Sequence, residues 1–517
     1  MNNSSRTANT FKNMTISLIL YAVSYIAVFI GRTFFIKILG NDYLSVSGLF
    51  TNVITLVSFT ELGLGAASVF CLYQPIADKN YSKINLLLRF FGRLYEIVAG
   101  VTICLGLILI PFLPYLVDMD DISFSKTYLT IVYILFISNT AASYLWVQKK
   151  LFLTADQKNY IANLIQQVIH ILQLVIQTVF LVITHNYIIY LILQIVCTLF
   201  TNIVTSYYVD SKYPEIRKNK TVGEITFQEK KDIAQNIASI FFYKIGAVIL
   251  NGTDNIIISI SIKTLFVGLC SNYVLIINAI NSVIMQCFNG IGASIGNHTI
   301  NASKDEQETV FRQLDIFCVF VFSFAAICLA VLLNPLIELW LGNEYVLPEI
   351  TVLSLVVAFY VTGVNQIPSL YRTSLGLFKD ARFYPLFAAI ANIVLSIALA
   401  KIIGLSGVFW ATSIVRFIFF TLVDSRLTYV KGFDKSPIKY YSVYVVRCVV
   451  LVISYSIIQY IIECIGVNGI TGLFVKTIVC IGCSLIILLI AYGWTKDFRG
   501  LYQRVFGFLR TKIRKKV

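Results

Sequence analysis

Inside long, strongly apolar runs stand the charges Arg32, Glu61, Lys244 and Arg416. A charge near the centre of a bilayer costs about 3 kcal/mol on insertion scales, so each must face a cavity, water or a partner. Arg32 is seven residues from Leu39, where its run ends, or about 10 Å deep at 1.5 Å per residue. Ser17, Tyr21, Ser24 and Tyr25 share its helical face, which is therefore polar throughout. Lys244 precedes Asn251, Asp254 and Asn255 by seven, ten and eleven residues, near one face, and the next run carries Asn278, Ser282 and Asn289 as a second stripe. A cation among amides suits a sugar phosphate, because the charge neutralises the phosphate while amides donate to and accept from hydroxyls.

Structural roles compete with that chemistry. Arg32 could snorkel outward, and Lys244 could hold a salt bridge to Glu61 or Asp254. Glu61 could pair with a basic residue at the rim, and the adjacent Gly63 and Gly65 suit close helix packing or a bend. Arg416 falls about eleven residues into its run and is the costliest of the set. Arg447 and Lys476 lie nearer the ends of their runs, where snorkelling accounts for them. The candidate binding residues are thus Arg32, Lys244, Arg416, Asn251, Asn255, Asn278, Asn289 and Tyr25. Glu61 and Asp254 are the acids to suspect of coupling or gating. Cations outnumber anions, so the expected cavity is positive.

Such residues need a membrane-spanning frame. The 517 residues are 58% hydrophobic and 13% charged, with mean hydropathy +0.80. Apolar runs of about 20 residues recur from end to end, each long enough to cross the hydrocarbon as a helix. The fold class is therefore all-α and polytopic, with about fourteen spans. The first six are Ile16 to Leu39, Leu44 to Leu72, Leu86 to Ile110, Tyr128 to Trp146, Ile161 to Ile183 and Tyr187 to Tyr207. The next six are Ile233 to Ile260, Leu265 to Asn297, Val310 to Leu333, Ile350 to Tyr371, Phe383 to Ile403 and Leu405 to Val430. Tyr441 to Ile465 and Ile470 to Trp494 complete the set. The first run passes any plausible cleavage site and meets another span at once, so no signal peptide is expected.

The net charge of +15 does not read as nucleic-acid binding, because the basic residues collect at helix ends and in one set of loops. Lys149, Lys150, Lys158, Lys212, Arg217, Lys230, Arg372, Lys379, Arg382, Lys431 and Lys439 fall on one side. Asp118, Asp120, Asp121, Glu338 and Glu344 fall on the other. The bias places both termini in the cytoplasm. The tail from Leu501 to Val517 alternates apolar and basic residues and suits the inner membrane surface. The eleven cysteines nearly all sit in apolar runs and read as packing groups, including the Cys480/Cys483 pair. His170, His185 and His298 are too scattered for a metal cluster. No phosphate-binding GxxxxGK[ST] loop occurs. No metal, cofactor or catalytic group is expected.

The longest polar interruption, Asp210 to Asp232, suggests a division into residues 1–209, a linker at 210–232 and a second lobe at 233–430. Residues 431–517 then hold spans 13 and 14 and the basic tail. An internal echo supports two related halves: Gly48-Leu49-Phe50-Thr51-Asn52 is matched by Gly268-Leu269-Cys270-Ser271-Asn272, and Gly63 to Ser68 by Gly290 to Ser294. Repeats of this kind build transporters around polar cavities.

The residues Arg32 to Gly40 (RTFFIKILG), Glu61 to Ser68 (ELGLGAAS), Leu72 to Ile84 (LYQPIADKNYSKI), Gly252 to Ser259 (GTDNIIIS), Gly268 to Ser282 and Gly404 to Thr412 (GLSGVFWAT) resemble the Wzx-type oligosaccharide flippases of the multidrug/oligosaccharidyl-lipid/polysaccharide exporter superfamily. The resemblance covers nearly the whole chain. It implies two six-helix lobes forming a V, and alternating access of a central cavity. It also implies a polyprenyl-diphosphate-linked oligosaccharide as substrate, moved across the bacterial plasma membrane for capsule or exopolysaccharide synthesis. A polymerase and glycosyltransferases of that pathway would be partners. By analogy, Arg32, Lys244 and Arg416 would meet the diphosphate and any acidic sugars. A lipid II or teichoic-acid precursor flippase is the nearest alternative. A multidrug antiporter would prefer an acidic cavity, and a membrane polymerase or glycosyltransferase would present a large outer loop with acidic residues. Here Asp118, Asp120 and Asp121 form the only acidic cluster, in a short loop.

Overall fold

The computed structural model of the chain describes residues 22–504, apart from 62, 119–121, 123, 219–224, 378–379, 382 and 467–468. Ser17, Tyr21, Asp120, Asp121, Lys379, Arg382 and nearly all of the basic tail therefore lie outside the described residues. So do the side chains of Arg217, Asn251, Asn289 and His298.

Every regular element among the described residues is helical. Span 1 is Ala22–Leu39. Span 2 runs as Asn41–Val57, passes through a tighter turn at Ser58–Glu61 and resumes as Leu64–Ala77. Spans 3 to 6 are Tyr81–Leu116, the bent pair Lys126–Tyr144 and Val147–Ala155, Asn159–Thr184 and Tyr187–Lys212. Span 7 is Phe227–Gly252 followed by Asp254–Ser261, and span 8 is Leu265–Asn301. Spans 9 to 14 are Lys304–Leu341, Glu349–Ser374, Tyr384–Ile403, Leu405–Gly432, Ile438–Glu463 and Gly469–Gly493. Eleven spans are single helices long and apolar enough to cross a bilayer, and bent span 4 makes a twelfth. The two left over, spans 2 and 7, are the broken ones that hold Glu61 and Lys244. The protein is an all-α multi-pass membrane protein.

The breaks correct two expectations of continuous helices. In span 2 the chain turns at Gly63, whose φ of +95° is left-handed and strained for any residue with a Cβ. In span 7 one helix ends at Gly252 and Asp254 and Asn255 open the next, with Thr253 between them. Helix starts outside the apolar runs follow local chemistry: Thr226 with Glu229, and Ser303 with Glu306, form reciprocal capping boxes. Glu229 also accepts a 2.5 Å bond from Lys83, which holds its carboxyl below the ordinary range.

The chain gathers into two compact units, residues 1–268 and 269–517. The division comes after span 7, whereas the longest polar interruption in the sequence comes before it. Span 7 packs on both helices of span 2, which draws it into the first unit. The first turn of span 8 is held there too. Asn41 and Ser45 donate to the Leu265 carbonyl at 3.0 and 3.1 Å, and the Gly268 N–H donates to the Ser45 hydroxyl at 3.1 Å. A Cβ at Gly268 would sit 2.4 Å from that hydroxyl, so the contact requires glycine. The apolar core of this unit joins Leu72, Phe91, Tyr95, Phe152, Leu153 and Val209.

The second unit is pinned by two buried ion pairs. Arg447 donates to Asp315 at 2.5 Å, and Tyr440 donates to the same carboxylate at 3.3 Å. Arg372 meets Asp424 at 2.7 Å, with Tyr384 and Asn365 donating at 2.7 and 3.1 Å. Arg447 was expected to snorkel and Arg372 to lie in a loop. Both are buried, because a carboxylate inside a neighbouring span gives each a partner that lipid cannot. Span 12 loosens to π-helical turns at Phe417–Leu422 and Thr428–Gly432, on either side of Asp424.

Removing one partner strands the other charge, so Arg447→Met should lower the unfolding free energy by about 3–5 kcal/mol. Adding Asp315→Leu should recover most of the loss. Thermal unfolding in detergent reads both, and a single variant as stable as the parent would show that the pair does not brace this unit.

Candidate functional site: a polar cavity in the first unit

Span 5 carries Gln166, His170, Gln173 and Gln177 at steps of four, three and four residues, and span 6 carries Gln194, Thr198, Thr201 and Thr205 at the same steps. That spacing puts each set on one helical face. Amides and hydroxyls have no partners in hydrocarbon, so a polar stripe on a membrane helix must meet protein or water. Both stripes contribute to one cavity of about 330 Å³, completed by Ser143, Lys150 and Asn202.

Hydrogen bonds fix much of its wall. Gln177 is buried and donates to the Tyr190 carbonyl at 2.8 Å, tying spans 5 and 6 together. Lys150 donates to Gln166 at 2.8 Å, Thr198 bonds Asn139 at 2.8 Å, and Ser24 lies 3.3 Å from His170 Nδ1. Span 4 bends by 44° at Leu145–Trp146, which frees backbone carbonyls. Asn202 donates to the Ser143 carbonyl and to that of Ala142, which the Leu145 N–H also meets, at 3.2 Å each. Gln194, by contrast, has no hydrogen-bond partner among the described residues, so its donor and acceptor face the cavity unused.

Lys150 also links this cavity to Glu61, one of the two acids suspected of coupling or gating. Glu61, at the break in span 2, lies beside Tyr144, the last residue before the bend in span 4. Ser58 and Thr102 lie beside Tyr144 in turn. Lys244 and Lys150 both act on Glu61 electrostatically. Lys150 therefore faces two ways, toward the Glu61 cluster and into the cavity. Glu61 and Lys244, proposed for different roles, share one neighbourhood.

The other candidates are spread out. Arg32 is half-buried within electrostatic reach of Tyr187 and Tyr190, whose rings pack with Phe35, and it does not line the cavity. Tyr25, Asp254 and Asn255 are half-buried in the same unit. In the second unit, Arg416 donates to Thr362 at 2.9 Å, and Asn278 is exposed. No group of His, Cys, Asp or Glu among the described residues could hold a metal. The amides and threonines of spans 5 and 6 carry no charge and do not stand out in an apolar run as Glu61 or Lys244 does. Their three-four periodicity was the available signal, as it was for Asp315 and Asp424 inside apolar runs.

The geometry has counterparts among solved structures. The lipid II flippase MurJ in an inward closed conformation superposes with a TM-score of 0.66 at 15% identity, covering 92% of this chain and 99% of that one. An inward-facing multidrug resistance MATE family transporter of the MOP superfamily gives 0.58 at 13% identity, covering 79% and 94%. The MATE multidrug transporter DinF-BH in complex with R6G gives 0.55 at 16%, covering 80% and 95%. No protein-family model and no curated protein matches the sequence. The chain has the fold these transporters share.

Two substitutions separate wall from site. Asn202→Leu removes both side-chain bonds to the bend and should cost about 1–3 kcal/mol of stability. Gln194→Leu removes an amide with no partner and should leave the melting temperature level or higher. Equal losses in thermal unfolding would contradict the distinction.

Proposed function

We propose that this protein is a flippase for polyprenyl-diphosphate-linked oligosaccharide repeat units, working by alternating access in a bacterial plasma membrane with both termini cytoplasmic. It serves capsule or exopolysaccharide synthesis. The observation that carries the reading is the cavity of spans 4 to 6. Its lining offers amide donors, amide acceptors and hydroxyls, with Lys150 as the cation among them. That set matches sugar hydroxyls, which both donate and accept, and it does not select for apolar or cationic guests. Arg32, Lys244 and Arg416 are the proposed contacts for diphosphate and acidic sugars, with Tyr25, Asn251, Asn255, Asn278 and Asn289 as hydroxyl partners. Glu61 and Asp254 are the proposed gating acids. The Glu61 neighbourhood supports its part of this, because Lys244 and Lys150 are within electrostatic reach of its carboxylate, whose protonation would change the field at both.

A second reading is a lipid II flippase, favoured by the MurJ likeness over 92% of the chain. Both readings move a sugar head on a diphosphate lipid. In proteoliposomes holding a fluorescent lipid-linked oligosaccharide or lipid II, transport of the first alone supports the repeat-unit reading, and transport of lipid II alone overturns it. Lys244→Ala or Arg416→Ala should abolish transport at unchanged protein level. Gln194→Leu should cut transport by about tenfold, the worth of one polar contact of about 1.4 kcal/mol. Unaltered transport would remove that residue from the site.

A further inference from the structure

A second cavity, of about 490 Å³, lies in the second unit where the chain leaves span 14, between the ends of spans 9, 12 and 13. Its charges are unevenly matched. Asp315 is held by Arg447 at 2.5 Å. Glu308 is held by Arg312 at 2.9 Å and by Lys435 at 2.5 Å. Asp497 sits 3.4 Å from Arg312. Each lining acid is thus engaged by a cation. Lys439 and Lys496 line the same cavity and have no ion-pair partner among the described residues.

Both lysines also sit where a cation is locally unfavourable. Lys439 is the second residue of span 13, Ile438–Glu463. Lys496 opens the helix after span 14, capped by Thr495, whose hydroxyl accepts from the Phe498 N–H at 3.3 Å. The partial positive charge of a helix start repels lysine and attracts anions. Two helix starts, two exposed lysines and the Ser436 hydroxyl therefore converge on one space, and an anion in it would be attracted by both lysines and both helix starts and would offset their mutual repulsion. The level is that of lipid headgroups: Trp494 is exposed beside the cavity with Arg499 stacked on its ring at 5.2 Å, an interfacial pairing.

We propose that this cavity binds the phosphate of a membrane lipid on Lys439 and Lys496, joining span 13 and the helix after span 14 to span 9. The phosphate could belong to an anionic phospholipid of the bilayer or to a polyprenyl phosphate. Binding at a built pocket is saturable and depends on these two lysines, unlike diffuse adhesion of a basic tail.

The test is thermal shift of the full-length protein in detergent, titrated separately with phosphatidylglycerol, phosphatidylcholine, polyprenyl phosphate and inorganic phosphate. Phosphatidylglycerol or polyprenyl phosphate should stabilise saturably, and whichever does so at lower concentration identifies the source. Lys439→Gln with Lys496→Gln should weaken that binding by about 25-fold, roughly fivefold per lysine, with the lipid-free melting temperature unchanged. Arg499→Gln, outside the lining, should keep it. An equal shift with phosphatidylcholine, a full effect of inorganic phosphate alone, or a double variant that binds like the parent would overturn the proposal.

Discussion

Hydrocarbon offers an amide, a hydroxyl or a carboxylate nothing to bond with, and the polar residues of this chain are arranged around that fact. They meet it in two ways. Some find a permanent partner inside the protein, as Asp315 does in Arg447 and Asp424 in Arg372. Such pairs are closed: the carboxylate of Asp424 also takes bonds from Tyr384 and Asn365. Others turn toward a shared space and keep bonding capacity in reserve, as the stripes of spans 5 and 6 do. The first group braces a bundle, and the second is equipped to receive something.

Interruptions in the helices follow the same division. A broken membrane helix exposes backbone groups that must be satisfied by protein or water. Span 4 bends where Asn202 donates to the carbonyls of Ala142 and Ser143. Span 2 breaks where Glu61 lies beside Tyr144, and span 10 turns at Asn365, whose amide reaches Asp424. At span 4 the polar group beside the break meets the backbone itself. Charge, helix geometry and cavity are therefore one problem in this chain, and Lys150 shows it most plainly by serving the Glu61 cluster and the cavity together.

The frame was legible in the sequence because membrane thickness imposes it. Runs of about 20 apolar residues can do little except cross, and the helices follow them closely. Glu61 and Lys244 were also visible, since a lone charge in an apolar run stands out. What was not visible was pairing across spans. Nothing local tells Arg447 that Asp315 is its partner 132 residues earlier, and an end-of-helix position made snorkelling the simpler expectation. The bend at Gly63 was one of two readings its glycines allowed, whereas the break at Thr253 was obscured because hydropathy measures only how apolar a window is. The uncharged stripes of spans 5 and 6 were legible in principle, through their three-four periodicity.

The central claim is that the cavity of spans 4 to 6 receives the sugar head of the substrate. Photo-crosslinking tests it most directly, with a photoreactive side chain placed at Thr198, in the lining, or at Leu172, exposed on span 5 outside it. Exposed to a lipid-linked oligosaccharide radiolabelled in its sugar, the protein should be labelled from position 198 and not from position 172. Labelling from neither position, or equally from both, would contradict the account.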